Sequence, residues 1–271
     1  MTTLTVHGSR GSYPVSGPQY HQYGGNTPCI SLATRRTLLV FDAGTGLGLL
    51  GDQLARRRTL PPIALFFTHF HLDHVIGIPS FKPLFRRDAR ITIFGSSRAR
   101  VWLKTLRHIM RPPYWPIDPF EAGAKITFKN LPAAPLTIDG VRLSWRSVSH
   151  PQGCLSFRME TPSSTVVLAT DSEHGQGGLD AGLVRFCRGA DLLIHDAQFT
   201  PEEYPQRRGW GHSTWEQAAR TASAAQARSL VLTSHDPCRS DQAINEIVRR
   251  ARRLFPKTRA AHENLTLLSE A

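Results

Sequence analysis

Cysteine is scarce and scattered. The 271 residues hold four, Cys29, Cys154, Cys187 and Cys238. None stands in CxxC spacing and they form no compact framework, which excludes a disulfide-built scaffold and fits reduced thiols. Long apolar runs are missing as well; nothing approaches the ~18–20 residues of a membrane span. The opening Met1-Thr2-Thr3-Leu4-Thr5-Val6 has neither the basic nor the apolar region of a signal peptide, so a cytoplasmic protein is expected, with no membrane partner. Acidic residues are few, 21 against 33 Lys and Arg, for a net charge of +12. The excess is mostly arginine, in Arg56-Arg57-Arg58, Arg86-Arg87, Arg207-Arg208 and Arg249-Arg250-Ala251-Arg252-Arg253. It favours an anionic substrate. Nucleic acid is a possible partner but not the favoured one, because these runs fall on expected helix ends and faces. No linker-like shift in composition and no tandem repeat breaks the chain, so residues 1–271 read as one domain.

What is present is an ordinary globular composition, 40% hydrophobic and 20% charged, enough for a sizeable core. A strand at Leu4–Gly8 leads into a glycine- and proline-rich loop over 9–28, a length that points to function. Strands follow at 29–33 and 37–41, then a helix opening at Asp42-Ala43-Gly44-Thr45-Gly46 and running to about Arg57, then the apolar strand Ile63-Ala64-Leu65-Phe66-Phe67. Further strands are expected at 91–95, 125–128, 141–145, 155–159, 165–169, 191–194 and 230–233. Helices are expected at 97–110, 179–188, 214–227 (capped by Ser213) and 241–254. The prolines of Met110-Arg111-Pro112-Pro113-Tyr114-Trp115-Pro116 exclude a helix there. The pattern predicts an α/β fold: a four-layer αββα sandwich of two mixed sheets face to face with helices outside.

The strands at 37–41, 63–67, 165–169, 191–194 and 230–233 each end in His or Asp. The densest of these ends is His69-Phe70-His71-Leu72-Asp73-His74, four potential metal ligands in six residues with Phe70 and Leu72 between to turn back into the protein. Alternation lets His69 and His71 reach one ion, while Asp73 and His74 on the following turn point at another. His150 can complete the first site and His235 the second, with Asp171 bridging, since a carboxylate offers one oxygen to each ion.

This constellation resembles the metallo-β-lactamase superfamily, whose HxHxDH signature stands intact at 69–74. Asp42 before its Gly-Thr-Gly turn, His150, Asp171 and His235 follow in the family's order, over about Leu4 to Leu268. An aspartate rather than a cysteine at 171 argues against β-lactam hydrolysis. Gly211-His212-Ser213-Thr214 resembles a motif of the tRNA 3′-processing endonucleases. Gly8-Ser9-Arg10-Gly11-Ser12, Tyr23-Gly24-Gly25-Asn26-Thr27 and His195-Asp196-Ala197-Gln198 resemble phosphoribosyl cyclic and cyclic-nucleotide phosphodiesterases. The long arm that grips tRNA has no counterpart here. The resemblance implies two divalent ions, Zn²⁺ first with Mn²⁺ or Fe as alternatives, and a hydroxide between them that attacks a small or cyclic phosphodiester. Asp73 would orient that hydroxide. His212 would act as general acid or phosphate stabiliser, with His195 positioning it or the substrate and Asp42 holding a ligand histidine. Arg10, Asn26 and Tyr114 would face the substrate. A lactone or carboxylic-ester hydrolase, or an RNA-processing nuclease, could use the same ligands. Some relatives are homodimers, so a second copy is a possible partner.

Overall fold

The computed structural model describes residues 2–95, 101–175 and 178–269; the start of the helix expected at 97 lies outside them. The chain divides into two compact units, one of residues 1–8, 26–133 and 263–271, the other of 9–25 and 134–262. Each is built on a mixed seven-stranded sheet with helices.

In the first unit the strand order is Leu265–Ser269, Thr3–Gly8, Cys29–Ala33, Leu38–Phe41, Ile63–Phe66, Arg90–Gly95, Lys125–Asn130. The first four pair antiparallel and the last four run parallel. The parallel stretch explains why Leu38–Phe41 and Ile63–Phe66 are apolar at every position: strands covered on both faces lose their alternation. Helix Gly46–Ala55 packs by Leu47, Leu50 and Leu54, three positions on one face, into a core with Val40, Ile63, Leu65, Ile91 and Ile93.

The second unit follows the same logic in another order. Its strands run Thr258–Ala260, Leu230–Thr233, Leu192–Asp196, Thr165–Ala169, Cys154–Glu160, Val141–Val148, Leu136–Ile138. The first four are parallel and the rest antiparallel. Helix Trp215–Ala224 turns Trp215, Ala218, Ala219 and Ala222 inward, and Asp241–Leu254 does so with Ile247 and Ala251. In the basic run at 249–253, Arg249, Arg252 and Arg253 are exposed, and Arg249 pairs with Glu246 and Arg250 with Glu202. No helix among the described residues is long and apolar enough to cross a membrane.

Two local expectations are corrected. The helix after residue 213 is capped by Thr214, not Ser213: the Thr214 side chain accepts from Gln217 N–H while the Gln217 side chain accepts from Thr214 N–H. That T-x-x-Q box satisfies two end groups at once, which a lone serine cannot do. Ser213 instead donates to the Ser172 carbonyl. The strand expected to stop at Ile194 continues through Asp196, which matters for the site below. The edge strands Leu136–Ile138, Thr258–Ala260 and Leu265–Ser269 are too short and mixed in character to carry a sequence signal.

Candidate metal and catalytic site

In the first unit the polar cluster follows the C-terminal end of strand Ile63–Phe66, the end of a parallel strand where ligands gather in open sheets. A single turn of 3-10 helix at Leu72–His74, with His74 N–H donating to the His71 carbonyl, sets the last two residues of the motif. His69 stands with its ring centroid 4.4 Å from that of His71 and 4.2 Å from that of His74. His74 Nε2 lies 3.4 Å from Asp73 Oδ2. The other ring nitrogen of His74 donates to Asp42 Oδ2 at 2.9 Å, leaving Nε2 as the atom that can bind a cation.

Asp42 sits just past strand Leu38–Phe41 with φ +61°, a backbone region that aspartate tolerates better than most residues. Its carboxylate also accepts from the Thr68 N–H at 2.8 Å and the Thr68 hydroxyl at 2.9 Å. Burial pushes the Asp42 carboxyl up, and the His74 imidazole and the Thr68 donors pull it back. Thr68 Oγ1 lies 3.0 Å from His69 Nδ1, so one threonine links Asp42 to a second histidine. Sequence reading missed Thr68, although its place directly before His69 was a signal.

The second unit gathers His150, Asp171 and His212, whose ligating atoms all lie within 4.8 Å of one another. His150 Nδ1 donates to the Gly211 carbonyl at 2.8 Å, which directs Nε2 toward Asp171 Oδ2, 4.0 Å away. Asp171, at the end of strand Thr165–Ala169 with φ +46°, accepts from the Ser234 hydroxyl at 3.0 Å. Imidazoles whose Nδ1–H is taken by an acceptor and whose Nε2 faces a carboxylate are the donor set of a divalent cation. Residues of both units therefore fit a metal, and the histidine and aspartate clusters are consistent with a metal site.

Asp196 holds His212, its Oδ2 accepting from Nδ1 at 2.8 Å. The carboxyl is fully buried and also accepts from Ser172 and Gln198 N–H groups. Burial drives it up and the His212 imidazole opposes that. The expectation that His195 positions His212 is thereby corrected. With the strand running through Asp196, successive side chains point to opposite faces. Asp196 takes the site side. His195 turns inward, stacks on His174 at 5.5 Å and bonds its Nδ1 to the Asp196 carbonyl.

His235 follows strand Leu230–Thr233, buried, with Nε2 donating to the Ala261 carbonyl at 3.0 Å; burial lowers it to about 3. It is not one of the His150, Asp171 and His212 group, and with Nε2 engaged, Nδ1 is the atom it has for a cation.

Each of the three residues expected to face the substrate has a partner within the chain. Arg10 is wholly buried, donating to the carbonyls of Gly24 at 2.8 Å and Arg239 at 2.6 Å, with Tyr20 beneath its guanidinium. It ties the long loop to 236–241, because a buried guanidinium must spend its donors on backbone. Asn26 gives both its backbone N–H and its amide to Glu263 Oε1 at 2.9 Å. Tyr114 is 64% exposed and sets its ring edge-on to His108.

His174 is buried and structural. Its Nδ1 accepts from Asp180 N–H at 3.0 Å and Nε2 lies 3.2 Å from Thr221 Oγ1. Burial lowers it from 6.5 to about 4, with Asp180 opposing. The unfolded chain therefore takes up a proton near pH 6.5 that the folded chain refuses until about pH 4. This contribution to stability is whole above 6.5, falls as pH drops through that window, and is fully lost by about pH 4, a loss of about 3 kcal/mol. Urea unfolding between pH 8 and 4 should show a shallower fall for His174→Asn, whose Oδ1 keeps the acceptor for Asp180; equal slopes would show that His174 does not titrate in this way.

Comparison with known proteins agrees with this geometry. Residues 37–235, more than half of the chain, match the beta-lactamase superfamily domain. The chain is similar to ribonuclease Z of Bacillus licheniformis, 26% identical over 86% of this chain and 89% of that protein. In fold it is similar to the metallo-β-lactamase fold protein YhfI from Bacillus subtilis, with a TM-score of 0.75 and 20% identity over 99% of this chain and 100% of the other. A diphosphatase from the PhnP family superposes with a TM-score of 0.72 and 19% identity, over 100% of this chain and 98% of its own. With the signature at 69–74 and two mixed seven-stranded sheets, the chain belongs to the metallo-β-lactamase superfamily.

Proposed function

We propose that this protein is a dinuclear metal-dependent phosphodiesterase acting on small or cyclic phosphodiesters. His69, His71 and His150 serve one divalent ion, Asp73, His74 and His235 a second, and Asp171 both. Divalent ions held by this set supply positive charge to a phosphate and acidify water. The histidine and carboxylate donors suit Zn²⁺ first, and Mn²⁺ or Fe as well.

The observation that carries the reading is the His212–Asp196 pair at 2.8 Å, beside His150 and Asp171. A carboxylate on Nδ1 holds the ring in one orientation and favours the imidazolium, which leaves Nε2–H as a proton donor. Cleavage of a phosphodiester expels an alkoxide, and a proton delivered at Nε2 neutralises it. Opening a lactone has less need of such a donor. The similarity to a ribonuclease and to a diphosphatase, both hydrolases of phosphorus–oxygen bonds, supports the same choice.

The test strips the protein with chelator, restores Zn²⁺ or Mn²⁺ and follows bis(p-nitrophenyl) phosphate. Turnover should vanish and return with the metal. Two bound ions with no diester turnover, but with hydrolysis of lactones or esters, would transfer the function to carboxylic substrates.

A further inference from the structure

The residues just before His212 form a braced loop that carries an exposed aromatic ring. Glu173 braces it from within: its Oε1 accepts from Gly209 N–H at 2.9 Å and from the Tyr204 hydroxyl at 2.9 Å, and its Oε2 from Gly211 N–H at 2.9 Å. Gly211 is pinned from the other side by His150. It has φ +87°, and a Cβ there would come within 2.2 Å of His150 Nδ1, so no other residue fits. Glu173 had no signal in the sequence.

Trp210 lies between these two fixed glycines. It is 54% exposed, although an indole is among the side chains that gain most from burial. The Arg207 guanidinium lies over its ring, 4.5 Å from the centroid, and Arg208 lies over Tyr204 at 5.8 Å. Among the described residues neither arginine has an ion-pair partner, unlike Arg239, Arg249 and Arg250, which meet carboxylates. The loop thus shows a rigid aromatic face and two unneutralised cations, two residues from the proposed proton donor.

We infer that Trp210, with Arg207 and Arg208, is a stacking platform for a nucleobase carried beside the scissile phosphate, so that the substrate is a nucleotide diester. This rests on the phosphodiesterase reading and narrows it. An indole held on edge-fixed backbone offers a planar base a stacking surface with little ordering cost, and guanidinium groups meet the charge of the flanking phosphate. A sugar phosphate without a base leaves the ring in water.

The experiment measures binding by calorimetry with AMP and with ribose 5-phosphate, on the metal-loaded protein, alongside turnover of bis(p-nitrophenyl) phosphate. AMP should bind about tenfold tighter than ribose 5-phosphate, in line with stacking on one aromatic side chain. Trp210→Ala should abolish that preference, and Trp210→Phe should keep much of it. Ribose 5-phosphate should bind all three proteins alike, which also shows that the loop has kept its shape. Equal affinities in the wild type, or a preference that survives Trp210→Ala, would overturn the platform while leaving the phosphodiesterase reading intact. An AMP preference lost with Trp210→Ala, in a protein that hydrolyses no diester, would establish the platform and sink that reading instead.

Discussion

Replacing His212 with asparagine should leave two metal ions per chain and lower kcat on phosphodiesters about 10²- to 10⁴-fold, the usual worth of a positioned acid. Asparagine is the informative choice because its amide can stand where Nδ1 stood and donate to Asp196 Oδ2, the bond His212 makes at 2.8 Å. The buried carboxylate then keeps its partner and only the proton donor is gone. Alanine would remove both, and a buried acceptor that loses a bond costs roughly 1–3 kcal/mol, although Ser172 and Gln198 continue to serve Asp196. Metal content by elemental analysis separates the two roles open to His212, since its ligating atom also lies within 4.8 Å of those of His150 and Asp171. One ion lost with the asparagine variant would make His212 a ligand. Two ions and unchanged turnover would remove it from the chemistry.

The Asp73→Ala, His74→Ala double variant should fall to the turnover of the metal-stripped protein and bind one ion fewer. Both side chains lie at the 3-10 turn following the apolar strand, 3.4 Å apart through His74 Nε2 and Asp73 Oδ2, a spacing at which two donors can share a cation. The variant will also be less stable, because Asp42 loses the imidazole that offsets its burial. Circular dichroism and a thermal melt therefore accompany the assay, and the comparison is made below the melting transition. Full activity in a folded double variant would refute the two-metal assignment for these residues.

Much of the architecture was legible because the sequence signals are strong where burial is complete. Strands apolar at every position, such as Leu38–Phe41 and Ile63–Phe66, belong inside a covered sheet, and the helix expected at about 241–254 spans Asp241–Leu254. What resisted reading were the contacts between residues distant in sequence. Arg10 was expected to face the substrate, yet its hydrogen bonds go to the carbonyls of Gly24, Asp236 and Arg239. Asp196 was passed over for its neighbour His195, because one residue more of strand decides which of two adjacent side chains faces the site.

The sequence by itself determined the superfamily, the two mixed sheets and the chemical types of the ligands, because a strand-end run of His-x-His-x-Asp-His has few physical uses besides holding metal. Tertiary structure alone decided the second layer of contacts: Asp42 and Thr68 behind the histidines, Asp196 behind His212, and Glu173 beneath the loop of Trp210. Those partners lie from one residue to dozens away along the chain. A hydrogen bond is directional over about 3 Å, so no local pattern of residue types can announce which carboxylate will arrive there.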